Sequence, residues 1–282
     1  MREKTARDMQ QAPQILNFNQ LSVQQSRFAE TFATADPIRH IVIDGFLEAE
    51  VALQASRAFP AAREMEIAFA GLAEVKNADQ RLARLDPVFG KIFEELRTSE
   101  FLEWLRAVTQ ISDLVDDPEL HGSGLHQGAD GSFLDVHADF NVHPRLRLYR
   151  RLNLLIYLNE TWQPTWQGYL ELWSRDMTEC RQYIEPKFNR CVIMETHDHA
   201  FHGYKELRLP SGVTRKSLAS YYYSADRSES QTSHEHDTLF QLRPEQRNAK
   251  GPRLFFRRLI ALSPAPMRPL TRALRALLRI KE

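Results

Sequence analysis

The sequence predicts an α+β fold whose core is a β-sandwich or barrel of the jelly-roll kind. Helical periodicity is found up to about Gln110 and again from about Arg253, whereas residues 121–224 consist of short β-rich runs separated by turn-forming residues. The length of 282 residues, 43% of them hydrophobic, suits one sizeable domain with extensions or at most two domains.

The first 60 residues predict a lead-in, a strand and a helix. Residues 1–35 are rich in Gln, Ala and Ser with weak periodicity, which predicts a mobile lead-in. Residues 39–44 form a β-branched run that predicts a strand, and Gly45 then begins a turn into a helical pattern that extends to about Phe59.

A second helical region is predicted between Asp86 and Gln110. Asp86 and Pro87 supply an N-cap and a first helical residue with a preset φ angle. Apolar residues then recur at helical spacing, with a break near Ser99, so these side chains are expected to pack in the core.

Five β-rich runs follow, and the first of them ends in a pair of metal-binding side chains. The runs are Phe133 to His137, Leu146 to Leu158, Tyr169 to Trp173, Cys191 to Glu195 and Leu218 to Tyr223. Alternate side chains of a strand share a face, so His137 and Asp139 are expected to point the same way. An imidazole and a carboxylate supply two of the three ligands of a facial iron(II) site.

Three histidines within six positions are candidates for the third ligand. His202 directly follows an apolar residue that could anchor it, and it is the preferred candidate. His197 and His199 are expected to be solvated in the loop that leads to it.

Two further runs are expected to line a pocket. With a period of two, Arg215 and Ser217 share a strand face, and an inward Arg with a hydroxyl two residues later can bind a carboxylate. The alternative is an edge strand with Arg215 in solvent. In the run 150–159 the even-numbered leucines and isoleucine are expected to face outward, against helices or the other sheet. The pocket wall would then consist of Arg151, Asn153, Leu155 and Tyr157. Tyr157 could offer its hydroxyl to a ligand or be an ordinary core tyrosine.

Taken in order, these segments resemble the prolyl 4-hydroxylase-like group of the iron(II)/2-oxoglutarate-dependent oxygenases. The likeness spans about residues 130–224, with a weaker one at HIVIDGFL. It is carried by the segments FLDVHADFN, RRLNLLIYLNETW, GYLELW, IEPKFNR, AFHGY and TRKSLASYYY.

The resemblance implies a double-stranded β-helix (jelly-roll/cupin-like) core in which His137, Asp139 and His202 bind Fe(II). The group's 2-oxoglutarate arginine follows the distal histidine by about a dozen residues, and Arg215 follows His202 by 13 (215 − 202). Arg215 is therefore implied to bind the C5 carboxylate. Ser217, Tyr157 and Leu170 are implied to complete the cosubstrate pocket.

The resemblance also implies the reaction. An unactivated C–H bond is hydroxylated while 2-oxoglutarate and O2 yield succinate and CO2, and L-ascorbate is allowed as a further cofactor. A prolyl residue of a peptide is the first expected substrate, by analogy alone. The alternatives are a small metabolite, such as a sugar or amino-acid intermediate, and a non-catalytic metal-binding jelly-roll protein.

Charge is unevenly distributed along the chain. The sequence holds 37 basic and 37 acidic residues, but residues 250–282 hold nine basic and one acidic. This segment is expected to form two basic amphipathic helices, at about 253–262 and 270–280. They could contact the acidic body of the chain, a second protomer or an anionic membrane.

Cys180 and Cys191 lack CxxC spacing and are expected to be reduced thiols of a cytoplasmic protein. No nucleic-acid partner is expected, and the oligomeric state is left open. The expected organisation is a lead-in (1–35), an oxygenase domain (36–226, core about 120–226) and a polar loop with the tail (227–282).

Overall fold

The computed structural model describes residues 14–228, 231 and 234–247. Its helices are α1 (Phe18–Val23), α2 (Gln25–Thr34), α3 (Ala49–Arg57), α4 (Pro87–Glu95), α5 (Ser99–Thr109) and α6 (Pro244–Arg247). The strands before the 150s are β1 (His40–Asp44), β2 (Ile67–Ala70), β3 (Glu74–Asp79), β4 (Val115–Asp116), β5 (Gly124–Gly128) and β6 (Phe133–Ala138). The later ones are β7 (Tyr149–Tyr157), β8 (Leu170–Trp173), β9 (Cys180–Ile184), β10 (Arg190–Glu195), β11 (His202–Tyr204), β12 (Arg215–Ser224) and β13 (Leu239–Phe240).

The strands form one curled antiparallel sheet in the order β1-β10-β7-β12-β5-β3-β6-β11-β8-β9, with β2, β4 and β13 paired at its sides. The two arms of this path curl towards each other, so β6 and β11 in one arm and β7 and β12 in the other line a shared interior. The predicted α+β, jelly-roll-type architecture is confirmed.

One face of β7 packs against the helices, as its alternation predicts. Leu152, Leu154, Ile156 and Leu158 are fully buried in the same apolar cluster as side chains of α4 and α5. Asp86 caps α4, since its carboxylate accepts the Val88 amide at 2.9 Å. Burying one such Leu or Ile contributes about 1.5–3 kcal/mol, so this layer is a main source of stability.

The predicted mobile lead-in is wrong for the part of it that the structure describes. Helices α1 and α2 lie within residues 18–34 and bury Phe18, Leu21, Phe28 and Phe32 in the main core. The indole of Trp104 donates a 3.0 Å hydrogen bond to the Leu21 carbonyl. These buried apolar residues are widely spaced in a Gln- and Ser-rich segment, so the composition did not indicate that the segment packs in the core. Residues 1–13 lie outside the described part.

One further segment differs from the prediction, and another lies outside the described residues. The hairpin β2–β3 was not predicted, yet β3 lies between β5 and β6 in the sheet. The expected tail helices at 253–262 and 270–280 lie outside the described residues. Within the described ranges, no helix combines the length and apolarity needed to cross a bilayer.

Candidate metal and cosubstrate site

The three predicted metal ligands meet at the pairing of β6 with β11. His137 lies near the end of β6, Asp139 follows the strand directly, and His202 at the start of β11 pairs opposite His137. The Nε2 atoms of His137 and His202 lie 3.5 Å from Asp139 Oδ1 and Oδ2, respectively. The donor atoms of all three side chains lie within 4.8 Å of one another, close enough to share one ion.

Backbone carbonyls orient both imidazoles. His137 Nδ1 lies 2.9 Å from the Asp135 carbonyl oxygen, and His202 Nδ1 lies 2.9 Å from that of Ala200. A carbonyl can only accept, so each Nδ1 carries a proton, and Nε2 is the atom that holds the lone pair when the ring is neutral. This is the usual outer hydrogen bond of a metal-bound histidine.

The electrostatics keep His202 and Asp139 in the protonation states that metal binding requires. Burial, with the neighbouring His137 ring, lowers the pKa of His202 to about 4. Burial by itself would raise the pKa of Asp139, but Arg150 and the two histidines hold it well below its ordinary value. Near neutral pH the site therefore offers a neutral imidazole at His202 and an ionised carboxylate at Asp139.

Asn153 and Arg150 hold the Asp139 carboxylate. Asn153 Nδ2 donates to Asp139 Oδ2 at 2.7 Å, and Arg150 Nη2 lies 3.3 Å from the same oxygen. Arg150 Nε and Nη2 also donate to Asn153 Oδ1, at 2.9 and 2.6 Å. The guanidinium stacks on Tyr221, 3.5 Å from the ring centroid.

Arg150 takes the place that alternation assigned to Arg151. The pairing of β12 with β7 shifts register between Tyr222, opposite Leu152, and Tyr223, opposite Arg150, so Arg151 is an extra residue. A bulge of one residue reverses which side chains face inward, and alternation alone cannot reveal it. Arg151 instead donates to the Ser224 hydroxyl at 2.9 Å.

Arg215 lies in an inner pocket next to the ligands, not in solvent. Its Nε donates to the Gly168 carbonyl at 2.8 Å and its Nη2 to the Tyr157 hydroxyl at 3.3 Å. The guanidinium is buried and lies 4.3 Å from the Tyr204 ring centroid. Within the described part of the chain it has no carboxylate partner. A buried cation of this kind is suited to binding a ligand anion.

The other predicted cosubstrate residues line the same pocket. Tyr157, Leu170 and Ser217 surround it together with His137, Asp139 and His202. Gly168 adopts φ +72°, and a Cβ there would lie 2.4 Å from a Leu207 methyl and 3.3 Å from Arg215 Cδ. Glycine is required at this position because both the backbone conformation and the space exclude a side chain.

An open cleft of about 510 Å³ leads to the same ligands from outside. Its walls include Phe69 on β2, Phe140 after the ligand pair, and Phe240 on β13, while Arg150 lies at its inner end. The cleft falls within the size range of small-ligand pockets. Neither β2 nor β13 was predicted from the sequence, because both strands are short.

His197 and His199 lie in the loop before β11 and are half-buried. They do not join the ligand cluster, and the His199 amide donates to His197 Nδ1 at 3.2 Å. Cys180 and Cys191 are both free thiols.

Comparisons with known proteins agree with this geometry. Residues 123–223 match the family model of the 2OG-Fe(II) oxygenase superfamily. A search of curated proteins gave no match.

Solved structures similar to the chain include three prolyl hydroxylases. A prolyl-4-hydroxylase from Pseudomonas putida has 16% identity and a TM-score of 0.53 over 72% of this chain and 100% of its own. A prolyl 4-hydroxylase from Phytophthora capsici has 20% identity and a TM-score of 0.53, with coverages of 95% and 83%. A prolyl hydroxylase from Trichoplax adhaerens, solved with a hypoxia inducible factor peptide fragment, has 15% identity and a TM-score of 0.51, with coverages of 73% and 92%. At these identities the similarity establishes the fold, and the predicted double-stranded β-helix is confirmed.

Proposed function

We propose that the chain is a 2OG-Fe(II) oxygenase that hydroxylates an unactivated C–H bond, since residues 123–223 match the model of that superfamily. The enzyme is a dioxygenase that uses Fe(II), 2-oxoglutarate and O2. One oxygen atom enters the product alcohol and the other enters succinate, with release of CO2. The observation that carries the proposal is the convergence of His137, Asp139 and His202 beside the buried Arg215, which has no carboxylate partner among the described residues.

His137, Asp139 and His202 would hold the iron. Two imidazole Nε2 atoms and one carboxylate are the donor set typical of non-haem Fe(II) oxygenases, which leaves positions for other ligands. When bound, the iron supplies the oxidative chemistry that activates O2 for attack on the C–H bond. The chain's own part is to preset both imidazole tautomers and to keep Asp139 ionised.

Asn153 and Arg150 have a positioning role in this proposal. Both place their donors on Oδ2 of Asp139, which restricts rotation of the carboxylate. Such outer partners commonly change metal affinity 10- to 100-fold when they are removed.

Arg215 would bind the C5 carboxylate of 2-oxoglutarate, with the Tyr157 and Ser217 hydroxyls beside it. Arg215 Nη2 and the Tyr157 hydroxyl are already 3.3 Å apart, so one carboxylate could contact both. Leu170 supplies an apolar wall for the methylene groups of the ligand. Together these residues orient the cosubstrate with its keto acid end towards the ligand cluster, which lines the same pocket.

We propose a prolyl residue of a peptide as the substrate. The cleft opens to solvent between β2 and the segment that carries β13, which would let a chain segment enter while Arg150 and Tyr221 lie at its inner end. A small metabolite is the second candidate, since a cleft of about 510 Å³ would also accept one.

The proposal is tested by succinate formation. The anaerobically iron-loaded protein is given 2-oxoglutarate and air, with a panel of prolyl peptides and of sugar and amino-acid metabolites. A substrate should raise succinate release above the uncoupled rate and gain one oxygen atom by mass spectrometry. Stimulation by metabolites alone would replace the peptide assignment with the second candidate.

A further inference from the structure

The residues that follow the family match complete the wall of the ligand site. The match ends at residue 223, whereas the C-terminal strap, defined here as residues 234–247, returns to the sheet. Its strand β13 pairs antiparallel with β6, with Phe240 opposite His137. The Phe240 and His137 ring centroids are 5.6 Å apart, and the Gln241 amide donates to the Val136 carbonyl at 2.7 Å. The strap is therefore a direct neighbour of the strand that carries two ligands.

One strap side chain is buried between two acidic residues of the sheet. Arg243 Nε donates to Glu171 Oε2 at 2.8 Å, and Arg243 Nη1 lies 3.4 Å from Asp135 Oδ1. The indole of Trp173 donates to the same Glu171 oxygen at 3.1 Å. Arg243, Asp135 and Glu171 are all at most 3% exposed, so water screens little of their interaction.

The two carboxylates come from the strands on either side of the distal ligand. Asp135 lies on β6 and Glu171 on β8, and β11 pairs with both strands. The Asp135 carbonyl orients the His137 ring, and Leu172, next to Glu171, pairs opposite His202. Arg243 thus links the two strands that flank His202, through Asp135, two residues before His137, and through Glu171, whose neighbour Leu172 pairs with His202.

A second strap contact reaches the loop before β11. His236 Nε2 lies 3.0 Å from Asp198 Oδ1, and both side chains are buried. The strap therefore contacts β6, β8 and the approach to His202.

We propose that Arg243 is a positioning residue for the metal site: it sets the spacing of β6 and β8 and so fixes His137 and His202 for metal binding. The inference rests on the proposed metal role of these histidines. Without the guanidinium, two buried carboxylates would repel each other across β11, and the strands would separate or admit water.

The test is Co(II) binding to full-length protein, measured by visible absorption and by equilibrium dialysis. Arg243→Met removes the bridge, and Arg243→Lys keeps the charge but cannot reproduce the planar fork. The matched control is Arg81→Met, which removes a 2.6 Å ion pair to Asp79, another buried carboxylate, on β3. Thermal unfolding of every variant is measured in parallel.

We expect Arg243→Met to bind Co(II) about 10- to 100-fold more weakly than wild type, with an altered cobalt spectrum. The Co(II) affinity of Arg243→Lys should lie between those of Arg243→Met and the wild type. Arg81→Met should lose thermal stability but keep the wild-type affinity for Co(II). If Arg243→Met fails to fold, the Co(II) affinity and spectrum of Arg243→Lys are compared with those of the wild type instead.

Two results would overturn the inference while leaving the proposed function intact. One is wild-type Co(II) affinity and spectrum in the folded Arg243 variants, and the other is an equal loss of affinity in Arg81→Met. Absence of Co(II) binding by the wild-type chain itself would overturn the proposed function together with this inference.

Discussion

The identity of the distal ligand rests on a single histidine among three neighbours. His202 presents Nε2 to Asp139 at 3.5 Å, whereas His199 does not join the cluster. We therefore expect His202→Ala to abolish tight Co(II) binding and His199→Ala to leave it within about threefold, because His199 lies outside the ligand cluster and a substitution away from such a site usually has a small effect. His197→Ala serves as a second control. Loss of binding in His199→Ala would show that the assignment of the distal ligand is wrong.

The proposed role of Arg215 in binding 2-oxoglutarate can be tested by a single substitution. Replacing Arg215 with Leu should weaken the apparent affinity for 2-oxoglutarate by about 2–5 kcal/mol, because a desolvated partner of the ligand carboxylate is lost. The control is Lys216→Leu, since Lys216 points away from the pocket and donates to the Ser56 carbonyl at 3.0 Å. Competition binding of 2-oxoglutarate to the Co(II) protein measures both variants. Equal affinity in the two would exclude Arg215 as the carboxylate-binding residue.

At the scale of elements, strands were predicted where alternation was regular and missed where it was not. The spacing in His137-Ala138-Asp139 and the alternation around Arg215 both gave the correct inward faces. The bulge in β7 reversed the alternation, so Arg150 was overlooked. Short strands such as β2 and β13 are stabilised by their partners in the sheet, and a window of two to four residues carries too little periodicity to predict them.

The same scale explains the error at the N-terminus. Phe32 on α2 is buried in the core although the sequence around it is rich in polar residues. We expect Phe32→Ala to lower the free energy of unfolding by about 3–5 kcal/mol through loss of burial and formation of a cavity. Val23→Ala, at an 86% exposed position of α1, should change it by less than about 0.5 kcal/mol. Urea unfolding compares the two, and equal stabilities would mean that α2 is not part of the folded core.

For the whole molecule, the distribution of charge suggests a role for the tail. Residues 250–282 carry a balance of +8 (nine basic, one acidic), and the other 249 residues carry −8 (28 basic, 36 acidic). We propose that the tail contacts the acidic body of its own chain, since amphipathic helices usually pack on their own domain.

We also propose a cytoplasmic location, supported by the two free cysteines.

Self-docking predicts that the tail does not drive membrane binding. Full-length protein and a chain ending at Arg247 should sediment equally with anionic vesicles, at low and at high salt. A contact with lipid headgroups would instead give sedimentation of the full-length chain alone, and it would weaken as salt screens the charges.

The central claim is that the whole chain couples 2-oxoglutarate and O2 through iron held by His137, Asp139 and His202. It is tested most directly by adding a limiting amount of O2 to anaerobic protein loaded with Fe(II) and 2-oxoglutarate. One succinate should form per O2 consumed by the wild-type chain, and none above background should form without iron or in His202→Ala. Succinate formation that persists in His202→Ala, or that does not depend on added iron, would contradict the account.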